Sequence, residues 1–314
     1  MKTFLKLAAA VVVALMLVVA VAYQLDRAER LAALEAGSRV LQTALGPVEY
    51  RLDGDASDPL LVVLHGTPGG HDQGIEAEPG VRVLSLSRPG YLRTPLSSGV
   101  TPQAQAELLR ALLDELGFDR VVLMGISGGG PSAYSFASAY PERTRALIAM
   151  EAVSRAMPID PDEPAPPQSD LLLWLALRGL ELSQDDLGVV ETFMADDPDF
   201  DRLRADPAAL AEVASLVWTL WPMSRRGEGF FSDLDEMTHF DLDLSTIRAP
   251  TLIVHGTLDD SVPFEHAEHA AAQITGSTLH AVEGAGHMMP FAHADEVDAA
   301  VEAFLASLPP LDAP

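Results

Sequence analysis

The chain has 314 residues, of which 48% are hydrophobic and 21% charged, so it can bury a large core and its composition argues against global disorder. Aspartate and glutamate number 46 against 20 lysines and arginines, and the resulting net charge of −26 disfavours binding to nucleic acid. The absence of cysteine excludes disulfide bridges, thiol nucleophiles and cysteine-bound zinc.

Residues 1–25 are expected to form a membrane anchor or a signal segment. Lys2 and Lys6 are the only lysines, and they precede an uncharged apolar run at 7–23. A positive flank before such a run holds the N-terminus in the cytoplasm while the following chain crosses the membrane. The run reaches the lower length limit of a membrane span, whereas the sequence AVA at 20–22 fits a cleavage site. The sequence thus predicts either an anchored protein facing outside the cytoplasm or a secreted or periplasmic one, and a buried helix is a third alternative.

Residues 26–46 are predicted to form a linker helix, and strands then alternate with helices. The run PLLVVL at 59–64 is typical of a strand buried on both faces. Thr101 and Pro102 favour the start of a helix, and Gly117 favours its end. The predicted strands are 48–52, 59–64, 81–86, 120–124, 146–150, 251–254 and 278–282, and the predicted helices between and after them are 101–116, 130–140, 263–274 and 291–308.

This alternation predicts an α/β fold, in which helices flank both faces of a mostly parallel sheet. One long stretch lacks strand patterns, is rich in acidic residues and is predicted to be a helical cap inserted into the core. The resulting organisation is a core at 47–153 and 250–308, a cap at 154–249 with helices at 171–182 and 208–220, a proline-rich linker at 158–170 and a loose tail at 309–314.

The sequence GISGG at 125–129 matches the pattern G-x-S-x-G between a predicted strand and a predicted helix. The glycines permit a sharp turn that presents Ser127 at the carboxyl edge of the sheet. The start of the following helix favours negative charge that develops there. Ser127 is therefore the predicted nucleophile.

A serine nucleophile needs a base and a carboxylate. His287 follows the last predicted strand, and the small residues before it let its loop fold back towards Ser127. Asp259, after the strand at 251–254, is the preferred carboxylate, with Asp260 and Glu151 as alternatives. His266 and His269 are expected to face solvent from one helix, and no metal site is predicted.

A tetrahedral intermediate needs N–H donors for its oxyanion. One donor is expected from the backbone of Gly128, the residue after the nucleophile. The second is expected from the backbone of Thr67, in the glycine-rich loop HGTPGG at 65–70.

The order of these loops resembles that of the α/β-hydrolase fold family, as do the sequences SRPGY at 87–91, GGGP at 128–131 and VHG at 254–256. The resemblance covers about residues 48–308 and implies a serine hydrolase of esters, thioesters, amides or lactones that needs no cofactor. Ser127 argues against the haloalkane dehalogenases and epoxide hydrolases of the family, which use aspartate. Gly128 argues against its cofactor-free haloperoxidases and perhydrolases, which usually have a bulkier residue there.

Three functions are compatible with these residues. The leading one is hydrolysis of a small acyl substrate, a carboxylic ester or a related acyl bond, through an acyl-enzyme. An aminopeptidase resembling proline iminopeptidases would need an acidic pocket, for which Glu181, Glu191 and Glu228 are candidates. A non-catalytic binding module is the third. Apolar cap residues are expected mainly to pack, and the rest could line a pocket for a hydrophobic substrate: Leu171, Leu172, Leu173, Trp174, Trp218, Trp221, Met223, Phe230 and Phe231.

Overall fold

The N-terminal segment is one continuous helix, α1, at Lys2–Ala36. The computed structural model describes residues 1–75, 77, 79–158 and 167–309, and the chain divides into two units, Met1–Arg39 and Val40–Pro314. Among the described residues, α1 is the one helix that is long and apolar enough to cross a membrane. The helix ends before Gly37, so the predicted linker helix at 26–46 is wrong in its second half. Residues Arg39–Thr43 instead form strand β1, because their backbone pairs with the next strand at the edge of a sheet.

The remaining strands and helices have the following bounds. The strands are β2 Gly46–Asp53, β3 Leu60–Leu64, β4 Arg82–Leu86, β5 Val121–Ile126, β6 Thr144–Met150, β7 Thr251–Gly256 and β8 Thr278–Val282. The helices are α2 Pro102–Leu116, α3 Gly130–Ala139, α4 Asp170–Ser183, α5 Asp186–Met194, α6 Phe200–Ala205, α7 Pro207–Val217, α8 Gly227–His239, α9 Glu265–Gln273, α10 Met289–Ala292 and α11 Ala294–Ser307.

The eight strands form one sheet in the order β1-β2-β4-β3-β5-β6-β7-β8. Strands β3 to β8 run parallel, and β2 pairs antiparallel with β4. Alternate residues of the central strands enter two different apolar clusters. Val62 and Leu64 of β3 pack on the face covered by α2, α3 and α9, whereas Leu61 and Val63 pack on the face covered by α11. The fold is therefore the predicted α/β architecture.

Helix α2 shows why the local sequence signals were reliable. The side chain of Thr101 accepts a hydrogen bond from the backbone N–H of Ala104, Pro102 occupies the first turn, and Gly117 ends the helix with a φ of 76°. A left-handed residue at this position favours glycine, which has no Cβ to clash. The helix consequently starts and ends where the sequence predicts.

Between β6 and β7, the described residues form the helices α4 to α8 and no strand. The predicted helices at 171–182 and 208–220 correspond to α4 and to α7 with the 3-10 turn Trp218–Leu220 that follows it. Helices α5, α6 and α8 were not predicted. The linker prediction at 158–170 and the tail prediction at 309–314 fall largely outside the described residues.

Candidate active site

Ser127 lies in the turn between β5 and α3 and has a left-handed backbone with a φ of 51°. The turn is closely packed. A Cβ atom at Gly125 would lie 2.6 Å from Cβ of Ala133, and one at Gly129 would lie 2.2 Å from the carbonyl oxygen of Leu64. Gly125 is therefore required by the close approach of the Ala133 side chain and Gly129 by that of the β3 backbone, which accounts for the G-x-S-x-G spacing.

His287 and Asp259 form a hydrogen-bonded pair, with Nδ1 of the ring 2.7 Å from Oδ2 of the carboxylate. The other oxygen, Oδ1 of Asp259, accepts backbone N–H bonds from Ser261 at 3.0 Å and Val262 at 2.8 Å. These bonds orient the carboxylate towards the ring, whereas Asp260 is exposed to solvent. Because Nδ1 faces a carboxylate, it carries the proton and leaves Nε2 able to accept one.

The charges around this pair determine both pKa values. Burial of Asp259 opposes its ionisation, but hydrogen bonds from His255 and His287 outweigh burial and hold its pKa well below the usual value. Burial of His287 favours the neutral ring, but the negative charge of Glu151, followed by the hydrogen bond to Asp259, raises the pKa of His287 to about 9. The carboxylate is thus ionised, and the ring is more basic than an ordinary histidine.

Ser127 is not joined to this pair by a hydrogen bond in the described part of the chain. The structure therefore brings Asp259 and His287 together and places Ser127 at the same edge of the sheet, at the end of β5. Gly66 lies beside the serine, because a Cβ atom built on Gly66 would be 3.3 Å from Cβ of Ser127.

The two residues expected to bind the oxyanion also meet. A Cβ atom on Gly128 would lie 2.2 Å from Oγ1 of Thr67 and 2.6 Å from Cε of Met237. A side chain at position 128 would consequently collide with the Thr67 loop. The hydroxyl of Thr67 is occupied elsewhere, because it donates a 2.5 Å hydrogen bond to Oδ2 of Asp233 in α8.

A family model described as alpha/beta hydrolase fold matches residues 59–294, which is more than half of the chain. The chain belongs to the α/β-hydrolase fold family.

Relatives in this family are similar over most of their length. A 2-hydroxy-6-oxononadienedioate/2-hydroxy-6-oxononatrienedioate hydrolase from Klebsiella pneumoniae is 31% identical over 270 residues, covering 81% of this chain and 88% of the relative. A solved α/β-hydrolase fold protein from Nakamurella multipartita is 32% identical with a TM-score of 0.73, and the match covers 85% of this chain and 98% of that one. A solved bacterial membrane phospholipase A is 22% identical with a TM-score of 0.61, and the match covers 98% of this chain and 99% of that one. The protein is a hydrolase of the α/β-hydrolase fold.

Asp233 of this α/β-hydrolase is a buried cap residue that the sequence analysis missed. Its carboxylate accepts hydrogen bonds from Nη1 and Nη2 of Arg88, at 2.8 and 2.5 Å, and from the hydroxyl of Tyr91 at 2.5 Å, in addition to the bond from Thr67. Asp233 and Arg88 are 5% and 1% exposed, so the pair is removed from water. A signal was present, because Asp233 lies between Gly229 and Met237 on the buried face of α8.

Two further buried contacts join the cap to loops of the core. Both Nη atoms of Arg226 contact the carboxylate of Asp72, at 3.1 and 2.7 Å, and Nη1 also donates to the carbonyl oxygen of Gly69 at 2.6 Å. Asp199, before α6, accepts the backbone N–H of Gly286 at 3.0 Å and pairs with Nε2 of His293 at 3.1 Å. The second contact reaches the residue immediately before His287.

The remaining candidate residues lie apart from this site or differ from expectation. Glu181, Glu191 and Glu228, the candidates for an amine-binding pocket, are all exposed. The expectation that His266 faces solvent is wrong, because the side chain is buried and its Nδ1 accepts the backbone N–H of Ser154 at 3.1 Å. Among the described residues, no group of three or more histidine and acidic side chains is arranged to hold a metal ion.

Proposed function

We propose that the protein hydrolyses carboxylic esters through an acyl-enzyme formed on Ser127. The observation that carries the proposal is the 2.7 Å contact between His287 Nδ1 and Asp259 Oδ2, which leaves Nε2 of the ring available as a base. The strained backbone of Ser127 supports the same role, because left-handed residues other than glycine are concentrated at functional sites.

The proposed reaction has two halves. In the first, Nε2 of His287 removes the proton of Ser127, Oγ attacks the acyl carbon, and the backbone N–H groups of Thr67 and Gly128 stabilise the oxyanion. The protonated ring then gives its proton to the leaving alcohol as the ester C–O bond breaks. In the second half, His287 removes a proton from water and the hydroxide attacks the acyl carbon. The bond between the acyl carbon and Oγ then breaks, His287 returns its proton to Oγ of Ser127, and the carboxylic acid is released.

The proposed substrate is a small acyl ester, and esters with a hydrophobic acyl group are one class of substrate to test. Helix α1 supports a location at a membrane, where such esters concentrate. The match to the membrane phospholipase A includes nearly all of this chain and adds phospholipid esters to the substrates worth assaying. The exposed positions of Glu181, Glu191 and Glu228 give no support to an aminopeptidase.

The primary test uses the full-length protein in detergent with p-nitrophenyl esters of increasing acyl length, proline amides and a phosphatidylcholine in mixed micelles. Ester hydrolysis that falls by a factor on the order of 10⁴ or more in Ser127→Ala supports the proposal, because triad residues act as a unit. A fluorophosphonate should label the wild type and not this variant. Hydrolysis of the proline amides alone, or an unchanged rate in Ser127→Ala, would refute it.

The proposed location, anchored and facing outside the cytoplasm, has a separate test. An anchored protein should sediment with membranes, resist extraction by high salt, dissolve in detergent and have the intact mass of the full chain. A cleaved signal would instead yield a soluble exported protein with a mass reduced by the leader. Full-length protein in the soluble cytosolic fraction would contradict both.

A further inference from the structure

Glu151 directly follows β6, the strand between the one that precedes Ser127 and the one that precedes Asp259. Its backbone N–H donates to the carbonyl oxygen of Val254 in β7 at 2.9 Å. Because the carboxyl ends of parallel strands meet at one edge of a sheet, the side chain of Glu151 starts between the nucleophile loop and the acid loop.

Glu151 has a backbone conformation that is rare for glutamate, and its side chain is buried, where a carboxylate loses its hydration. The residue has a φ of 49°, in the left-handed region. Its side chain is 2% exposed, and Oε1 has no hydrogen-bond partner among the described residues. A strained backbone and an unsatisfied buried carboxyl group at one position point to a function.

The carboxyl group of Glu151 lies beside the ring of His287. Oε2 of Glu151 is 3.9 Å from Nδ1, the same ring nitrogen that lies 2.7 Å from Oδ2 of Asp259. One imidazole nitrogen therefore faces two carboxyl groups from two different strands. At 3.9 Å, Glu151 acts on the ring through its charge, while Asp259 forms the hydrogen bond.

We propose that Glu151 is a positioning residue for His287, a second acid beside Nδ1 that retains the ring proton together with Asp259. This inference rests on the proposed function, because it assigns Glu151 a role in the same reaction. Glu151 acts through the imidazole and does not touch the substrate. When Asp259 cannot accept the Nδ1 proton, Glu151 provides the alternative acceptor.

Glu151 is charged in the pH range in which His287 loses its proton. Burial raises the pKa of Glu151 to about 8, although the charge of His287 opposes the change, so the carboxyl group is largely ionised near pH 9. Glu151 is also the largest of the charges that raise the pKa of His287. The other titratable groups around the pair come from the loop after β7, from the end of β7 and from the segment before α6: Asp259, Asp260, His255, Asp197 and Asp199.

The first test is the pH dependence of kcat/KM for the most active ester in wild type, Glu151→Gln and Glu151→Asp. Loss of the charge should move the acid limb of Glu151→Gln to lower pH by about one unit, because an opposite charge within about 4–6 Å shifts a pKa by 1–3 units. In Glu151→Asp, which keeps the carboxyl group, the acid limb should lie between those of Glu151→Gln and the wild type. If the acid limb of the kcat/KM profile had the same midpoint pH in the wild type and in Glu151→Gln, the proposal would be overturned.

A matched control is Glu49→Gln. Glu49 is 1% exposed, and its partners are Arg93, Ser87 and His71 rather than His287. This substitution should lower the melting temperature and leave the pH of the acid limb unchanged. If it moved the limb as far as Glu151→Gln does, the effect would follow from general destabilisation, and the proposal would be rejected.

The second test does not require Glu151→Gln to fold. In Asp259→Asn, Glu151 is the remaining acid, so kcat should fall on the order of 10²- to 10³-fold. The loss should be smaller than the roughly 10⁴-fold that replacing the aspartate of a Ser-His-Asp triad by asparagine causes in a chymotrypsin-type protease. A full 10⁴-fold loss in the single variant would overturn the inference. Loss of hydrolysis in Ser127→Ala, together with contrary results in both tests of Glu151, would refute only the role of Glu151. Hydrolysis that persists in Ser127→Ala would refute the proposed function itself.

Discussion

The hydroxyl of Thr67 donates a 2.5 Å hydrogen bond to Asp233, and this bond joins the loop expected to bind the oxyanion to helix α8 of the cap. The same carboxylate holds both Nη atoms of Arg88. The buried carboxylate of Asp233 therefore connects α8 to the loop that contains Thr67. A change at Asp233 should affect both the stability of the fold and the position of the Thr67 backbone.

Asp233→Asn should lower the free energy of unfolding by about 3 kcal/mol, because it leaves Arg88 buried without a matching charge. Urea denaturation followed by circular dichroism measures this change. Asp235→Asn is the matched control, since Asp235 is exposed on the same helix and loses the same charge, and its effect should stay within about 0.5 kcal/mol. Equal destabilisation by the two variants would show that the buried pair contributes nothing.

Gly128→Ala should reduce kcat by about 10²- to 10³-fold, the effect of losing one oxyanion donor. Its new Cβ would meet Oγ1 of Thr67, which is fixed by Asp233, so the two backbone donors must separate. Gly179→Ala is the control, because a Cβ there meets no atom of the described residues within 4 Å, and it should leave kcat unchanged. Wild-type activity in a folded Gly128→Ala protein would contradict the assigned oxyanion site.

The rate should increase with pH up to about 9. The proposed reaction needs a neutral His287, and the pKa of this ring is raised to about 9. Below that value kcat/KM should rise about tenfold per pH unit, after subtraction of the rate in Ser127→Ala at each pH. A plateau that is already reached at pH 7 would contradict the raised pKa.

Stability should change in the opposite direction across the same range. Because the pKa of His287 in the folded protein is raised above the ordinary value of 6.5, its contribution is complete below about pH 6.5 and is lost as the pH rises through about 9. The difference in free energy of unfolding between wild type and His287→Gln should therefore be larger at pH 6 than at pH 9.5. A difference that grows with pH would reverse the sign and refute this assignment.

Asp199→Ala should lower kcat by about 10²-fold, because Asp199 fixes the backbone N–H of Gly286 and small displacements of catalytic groups have effects of this size. Asp201→Ala is the control, since Asp201 lies two residues further along, is 84% exposed and pairs with Arg204 at the surface. Assays at saturating ester separate the effect on kcat from one on KM. Equal rates in the two variants would show that this cap contact does not position His287.

The parts of the candidate site that depend on local chain geometry are the ones that a sequence can predict. The turn at Ser127 has its own glycine pattern, and Asp259 and His287 each follow a strand whose apolar run is recognisable. The choice of Asp259 over Asp260 depends on backbone N–H groups at Ser261 and Val262, which only the folded loop reveals.

Other features depend on partners distant in sequence. Asp233 is separated from Arg88 by 145 residues, so its spacing from Gly229 and Met237 can indicate a buried position but not the arginine that pairs with it. Strand β1 was missed because pairing at the sheet edge, rather than a strong strand pattern, determines its conformation. Charged neighbours on α9 predict a solvated face for His266, yet the side chain is buried and bonds to the backbone of Ser154.

Asp233, Arg226 and Asp199 of the cap together contact three segments of the core. Asp233 contacts the loops after β3 and β4, Arg226 contacts the loop after β3, and Asp199 contacts the segment after β8. A swing of the whole cap about one hinge would separate all of them at once and leave two guanidinium groups without their carboxylates in a dry interior. Such a motion is disfavoured compared with small shifts between individual cap helices. Movement of single helices, with the remaining cap contacts intact, is therefore the expected way for a substrate to gain access to Ser127.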